Sequence, residues 1–140
     1  MKRKLAREQA FVILFESSFQ KDNSMSEIID LYNELSEQWE HIQIPEKIDD
    51  FAKSIALGVE EKIGELNEYI EKYAVGWKIA RIPKVTLSIL RLSMYEMKYM
   101  DVPVGVSINE AVDIAKKYST KEDASFINGI LGSFSKELEI

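Results

Sequence analysis

The chain has no cysteine, one histidine (His41), three prolines and six glycines in 140 residues. Without cysteine there are no disulfides and no thiolate metal sites, a composition compatible with the cytoplasm. With one histidine, a zinc site would rest on carboxylates alone, and neither Ser-His-Asp nor Cys-His chemistry finds support. No glycine-rich strand–loop–helix for a cofactor is present. No run approaches the roughly 18–20 apolar residues of a membrane span, and the opening Met1-Lys2-Arg3-Lys4-Leu5-Ala6-Arg7-Glu8 lacks a signal peptide's apolar stretch. Carboxylates are plentiful, but pairs of them on solvated helices are common and do not make a glycosidase. The expectation is a protein that binds rather than catalyses, with no metal and no cofactor.

What is present fits one domain over 1–140, because 46% hydrophobic residues fill a single core. The net charge is −6, and its distribution says more than its sum. Residues 1–8 set Lys2, Arg3, Lys4 and Arg7 against Glu8 alone. From Asp22 to Glu71 there are 14 acids against Lys47, Lys53 and Lys62. From Lys72 to Arg91 the sign reverses, with Lys72, Lys78, Arg81, Lys84 and Arg91 and no acid. An acidic protein binds a polyanion only through a localised basic patch, although such blocks are also ordinary solvated helix faces.

Apolar residues recur at helical period along the whole chain. Ala6, Ala10, Phe11, Ile13, Leu14, Phe15 and Phe19 predict a first helix over about 4–20. Ser24-Met25-Ser26-Glu27 reads as a capping box, followed by Ile28, Leu31, Leu35 and Trp39 on one face. Pro45 suits a first helical turn and opens a pattern through Ile48, Ala52, Ile55, Val59, Ile63, Leu66 and Ile70. Gly58 and Gly64 are where this segment is expected to kink or admit a close neighbour. The stretch from Gly76 to Pro83 is the expected break between halves of about 1–75 and 76–140. Val85 to Met97 is an apolar helix ended by Asp101-Val102-Pro103. Ser107-Ile108-Asn109-Glu110 reads as a second capping box, and Thr120-Lys121-Glu122-Asp123 as a third. A last helix then carries Phe126, Ile127, Ile130, Leu131, Phe134 and Leu138. No strand alternation competes. The fold class is all-α, a compact bundle of about six or seven helices in two packed subdomains.

Lys2, Arg3, Lys4 and Arg7 crowd a helix N-terminus, where the macrodipole disfavours cations by a few tenths of a kcal/mol each. Phosphate would offset that, since both these side chains and the free amides of the first turn attract it. A frayed, solvated terminus is the alternative.

Several motifs together resemble the NusB family. Ala6-Arg7-Glu8-Gln9-Ala10 running into Leu14-Phe15 resembles its opening, and Trp77 to Arg81 its Trp-x-x-x-Arg segment. Ile89-Leu90-Arg91-Leu92 with Tyr95-Glu96 is similar to its core helix. Val102-Pro103, Ile108-Asn109-Glu110-Ala111-Val112 and Ala115-Lys116 match a further stretch, and Phe126-Ile127-Asn128-Gly129-Ile130-Leu131 the closing one. The anchors stand in the family's order over residues 6–131.

The resemblance implies two packed helical subdomains and a role as RNA-binding adaptor in bacterial transcription antitermination. It implies binding of boxA-type single-stranded RNA with NusE, a ribosomal small-subunit protein, at the transcription elongation complex. Carried over by motif, the RNA contacts are Lys2, Arg3, Lys4 and Arg7, then Lys121, Phe126 and Asn128. The NusE contacts are Phe15 and Thr86. Replacing the four basic residues of the arm is expected to weaken RNA binding while leaving the melting temperature nearly unchanged.

The sequence departs from the family in three places. Its basic arm is short, Thr86-Leu87-Ser88 stands where Asp-Arg-Ala is frequent, and Gly132 follows the closing motif where Asp is frequent. Each nominated residue also has a plainer reading. Phe126 at helical spacing with Ile130 suits a core, Asn128 a cap or bridge between helices, and Phe15 a wholly buried ring. Arg91 reads as a half-buried structural arginine, and His41 as a surface residue without a role. A helical protein–protein module or homodimer without RNA binding is the alternative function. An RNA methyltransferase fusion is not expected, because nothing follows Ile140.

Overall fold

A computed structural model describes residues 2–38 and 47–138. The expectations for Trp39, His41 and Pro45 lie outside these residues. Seven α-helices and no strand occur among the described residues: α1 (Arg3–Ser17), α2 (Met25–Gln38), α3 (Asp50–Glu61), α4 (Ile63–Tyr73), α5 (Lys84–Tyr99), α6 (Val104–Tyr118) and α7 (Lys121–Leu138). A single 3-10 turn, Ile79–Arg81, joins α4 to α5. None of these helices is long and apolar enough to cross a membrane.

α5 is the axis of the fold. Leu87, Ile89, Leu90, Leu92, Met94 and Met97 bury it on nearly every side, as expected of a helix that is apolar all round. It packs against α1, α3, α4, α6 and α7. The buried apolar side chains of all seven helices form one continuous cluster. α4 packs against α3 on one side and against α5 and α7 on the other, so the helix before the break at residues 76–83 is tied to both halves.

The capping signals are partly met. At the start of α2 the Ser24 N–H donates to Glu27 Oε1 and the Glu27 N–H to Ser24 Oγ, both at 3.2 Å. Thr120 Oγ1 accepts from the Asp123 N–H at 3.1 Å and caps α7. The box at Ser107 does not form. Pro103, which has no N–H to lose, stands at the start of α6, and Ser107 falls inside the helix. Its hydroxyl is buried 2.7 Å from Ser93 Oγ and ties α6 to α5.

The long pattern from Ile48 to Ile70 is two helices, parted at Lys62. Gly58 admits the Tyr95 ring of α5, which a Cβ there would overlap, whereas Gly64 faces open space. α3 opens on Asp49, whose side chain accepts from the Phe51 N–H at 3.0 Å. The residues before it are pinned by two side-chain amides, Gln9 buried and Asn33 half-buried. Gln9 donates to the Lys47 carbonyl and accepts from the Asp49 N–H, and Asn33 accepts from the Ile48 N–H. This fixes Phe51 beside the start of α1, where it shapes the basic arm.

Candidate RNA-binding surface

The arm at the start of α1 divides into free and engaged cations. Lys2, Arg3 and Lys4 are exposed. The Arg3 guanidinium lies 4.0 Å above the Phe51 ring, a cation–π contact that orients it without consuming its donors. Lys4 Nζ is 3.2 Å from Asp113 Oδ2 and 3.8 Å from Glu110 Oε2 on α6. The hydrogen bond to Asp113 raises its pKa.

Arg7 departs from its expected place. It is only 5% exposed, and its Nε donates to both oxygens of Glu96 at 3.0 and 2.8 Å. One turn after Arg3 on the stripe that faces α3 and α5, it is turned inward. Burial raises the Glu96 carboxyl, and Arg7 pulls it back toward the charged form. Arg7 therefore holds the arm's helix to α5 and is not open to phosphate.

α1 and α6 lie side by side, so the surface continues from the arm to the end of α6. Glu8, largely buried, accepts from Lys117 Nζ and from the Tyr118 hydroxyl. Burial pushes the Glu8 carboxyl up, and these two donors more than offset it, leaving the pKa below the usual glutamate value. Burial and then Glu8 push the Tyr118 phenol up. Lys116 and Lys117 close α6 and are exposed. Sequence reasoning missed both. A basic pair one turn before a capped helix start was the available signal, but it equally suits a helix C-terminus.

Thr120 turns the chain into α7, which places Lys121 on its first turn, exposed. Asn128 is two turns on, so it shares the exposed stripe of Lys121. Its side chain makes no hydrogen bond among the described residues and so neither caps nor bridges helices there. Phe126 lies on the flank of that stripe. It is half-buried, one side on the core, and its ring meets Trp77 edge-on at 6.1 Å and 69°. Trp77 is 49% exposed.

The residues nominated for a protein partner separate as well. Phe15 is half-buried in an aromatic row running from Tyr118 through Phe11 to Phe19, with the last pair edge-on at 5.0 Å. Phe19, 58% exposed, ends the row under Lys84 Nζ at 4.4 Å. Thr86 is only 1% exposed. It faces α7 from the first turn of α5, at the base of a cleft with Trp77 and Phe126. Its side chain offers no polar contact at the surface; its exposed neighbour on the first turn of α5 is Lys84. Arg91 is half-buried, with Nε donating to Asn67 Oδ1 at 3.0 Å, and burial lowers its pKa.

No group of three or more metal-ligating side chains occurs among the described residues. The NusB family matches residues 4–136. The chain belongs to the NusB family. A transcription antitermination protein NusB from a Thermoanaerobacter species is 47% identical over 88 residues, 63% of each chain. That of Carboxydothermus hydrogenoformans is 39% identical over 99% of this chain and 96% of its own. A crystal structure of the antitermination factors NusB and NusE in complex with double-stranded RNA superposes with a TM-score of 0.79. It is 26% identical and covers 96% of both chains.

Proposed function

We propose that this chain is an RNA-binding adaptor of bacterial transcription antitermination, acting in the cytoplasm by binding and not by catalysis. It takes a boxA-type single strand of nascent RNA together with NusE and joins them to the elongation complex. The observation that carries this reading is the packing of α1 along α6, with Lys4 beside Asp113 and Glu8 beside Lys117. Exposed Lys2 and Arg3 open α1, exposed Lys116 closes α6, and exposed Lys121 and Asn128 follow on α7, in a chain whose net charge is −6; in this reading they form one RNA track. The contacts of Lys4 with Asp113 and of Lys117 with Glu8 hold α1 and α6 in register. Cations at such a surface neutralise phosphates, and an exposed amide reads a base edge. The aromatic row ending at Phe19 and Lys84 is the surface offered to NusE, with Phe15 as its half-buried support.

Titration of a short boxA-type single strand across a salt series, with and without NusE, tests the reading. Three or four neutralised phosphates give a slope of log affinity against log salt of about −2 to −3 for a single strand. Replacing Lys2, Arg3 and Lys121 by alanine should flatten it by about 0.7 for each phosphate that is no longer neutralised. A slope near zero in the unaltered protein, or one unmoved by the triple replacement, rejects RNA binding at this surface.

A further inference from the structure

Between the 3-10 turn, the first turn of α5 and the start of α7 lies a cleft of about 250 Å3. Trp77, Arg81, Thr86, Glu122, Asp123 and Phe126 line it. We infer that this cleft holds one unpaired nucleobase stacked on Trp77, selected for an exocyclic amino group by Glu122. The inference rests on the RNA-binding reading and adds to it a base-specific pocket.

Three observations carry it. The Trp77 ring is half exposed at the mouth, and Phe126 meets it edge-on, so a flat ring entering the cleft has one face to stack on and one wall. The volume is below the ~300–1,000 Å3 of sites that take drug-sized ligands, which suits a single planar ring system rather than a helical segment. The polar lining is mixed in sign. Arg81 and Glu122 are both exposed and neither has an ion-pair partner among the described residues. A cationic side chain would be repelled by Arg81 and a bare anion by Glu122. A neutral base on a phosphate backbone meets both demands. Its amino group donates to the carboxylate and its phosphate lies against the guanidinium.

The same chemistry sets the preference. Cytosine, adenine and guanine each carry an amino donor, whereas uracil offers only carbonyls and one ring N–H. One oxygen of Asp123 is taken by the Ser119 hydroxyl, whereas both oxygens of Glu122 are open to accept. Under the cleft, the Thr86 hydroxyl is buried with no hydrogen-bond partner among the described residues, a polar group in an otherwise satisfied interior.

The experiment uses the full chain carrying Trp39→Phe, so that Trp77 is the sole tryptophan, titrated with oligo(C), oligo(A) and oligo(U) of one length. Oligo(C) and oligo(A) should quench Trp77 emission at lower concentration than oligo(U). In the unaltered chain, Trp77→Ala should weaken oligo(C) binding roughly tenfold or more, and Trp77→Phe should recover most of it. Glu122→Gln, an exposed change that does not threaten folding, should reduce the preference for oligo(C) over oligo(U) severalfold. If Trp77→Ala and Glu122→Gln both leave oligonucleotide binding and preference unchanged while salt-dependent binding persists, the pocket is rejected and the RNA-binding reading stands. If the unaltered chain binds no RNA with or without NusE, both fall. If Trp77→Ala weakens NusE binding in the absence of RNA and spares the oligonucleotides, the cleft belongs to the protein partner and the inference is overturned.

Discussion

Arg7 and Glu96 are 89 residues apart in sequence and meet inside the protein with almost no exposure. Such a pair is a weak source of net stability, because desolvation of both ions offsets their attraction. Its rupture is another matter, since the survivor is left as a buried, unpaired charge. Arg7→Ala is expected to cost about 3–5 kcal/mol of folding stability in chemical denaturation, in contrast with Lys2→Ala and Arg3→Ala, which should leave the denaturation midpoint nearly unmoved. Equal midpoints for all three would show that Arg7 is as free as the arm. The pattern offered a hint: Arg7 lies on the stripe of Ala6 and Ala10, and Glu96 is the lone acid among the apolar residues of the core helix. What no pattern in one chain gives is that these two exceptions face each other. Thr86→Glu illustrates the same point. As a surface ion pair it would strengthen NusE binding, but at 1% exposure it buries a carboxylate and should instead lower the melting temperature.

At the scale of helices, glycine separates two kinds of position. Gly58→Ala drives a methyl group into the Tyr95 ring that locks α3 against α5, and overpacking of this kind costs about 1–3 kcal/mol. Gly132→Ala in α7 meets nothing within 4 Å and should stabilise by about 0.5–1 kcal/mol through helix propensity. Thermal melts of the two variants should move in opposite directions; a shared sign would mean the Gly58–Tyr95 approach is not maintained in solution. Helix existence was legible from the apolar period throughout, and the cap signals agreed with it at α2 and α7. Two boundaries were not. The apolar stripe runs unbroken through Lys62, so nothing local marks the division of α3 from α4. At Ser107 a true Ser-x-x-Glu spacing was outranked by Pro103 upstream. The exposed cations of the candidate site were legible at the helix ends, where charge stands out, and the burial of Arg7 was not, because its partner Glu96 is distant in sequence.

The same limits apply to acid sensitivity between elements. Glu8 joins α1 to the end of α6 through Lys117 and Tyr118, and its carboxyl is held below the usual glutamate value. A depressed carboxyl contributes stability above its unfolded pKa of about 4.3 and loses it as the pH falls through the lowered folded value. Glu96, raised by burial, acts in the opposite sense. The difference between the unaltered protein and Glu8→Gln isolates the first effect. Denaturation midpoints measured from pH 7 to about 3 should converge as the pH falls. A constant gap would show that Glu8 carries no acid-labile contact.

Over the whole molecule, the surface that gathers the cations is bordered by acids: Glu110 and Asp113 beside Lys4, Glu8 beneath Lys117, and Glu122 beside Lys121. Few phosphates can be neutralised by such a strip, and the net charge of −6 repels the remainder of the strand. RNA binding by the chain alone should therefore be weak, with a shallow salt slope of about −2 to −3. The aromatic row from Tyr118 to Phe19 begins where the basic strip passes from α6 to α7. A basic ribosomal protein docked along that row would extend the positive track beyond Lys121. The two ligands then help each other without any new contact on this chain, because binding to linked surfaces raises effective concentration. NusE is expected to tighten RNA binding about tenfold, roughly 1.4 kcal/mol of coupling, and RNA to tighten NusE by the same factor, as linkage requires. Phe19→Ala should reduce NusE affinity and, through it, RNA affinity in the presence of NusE, while RNA affinity without NusE stays constant. Calorimetric titrations of each ligand alone and in the presence of the other measure all four affinities. Strictly additive binding, with the Phe19 variant indistinguishable from the unaltered chain, would separate the two surfaces and remove cooperation from the mechanism.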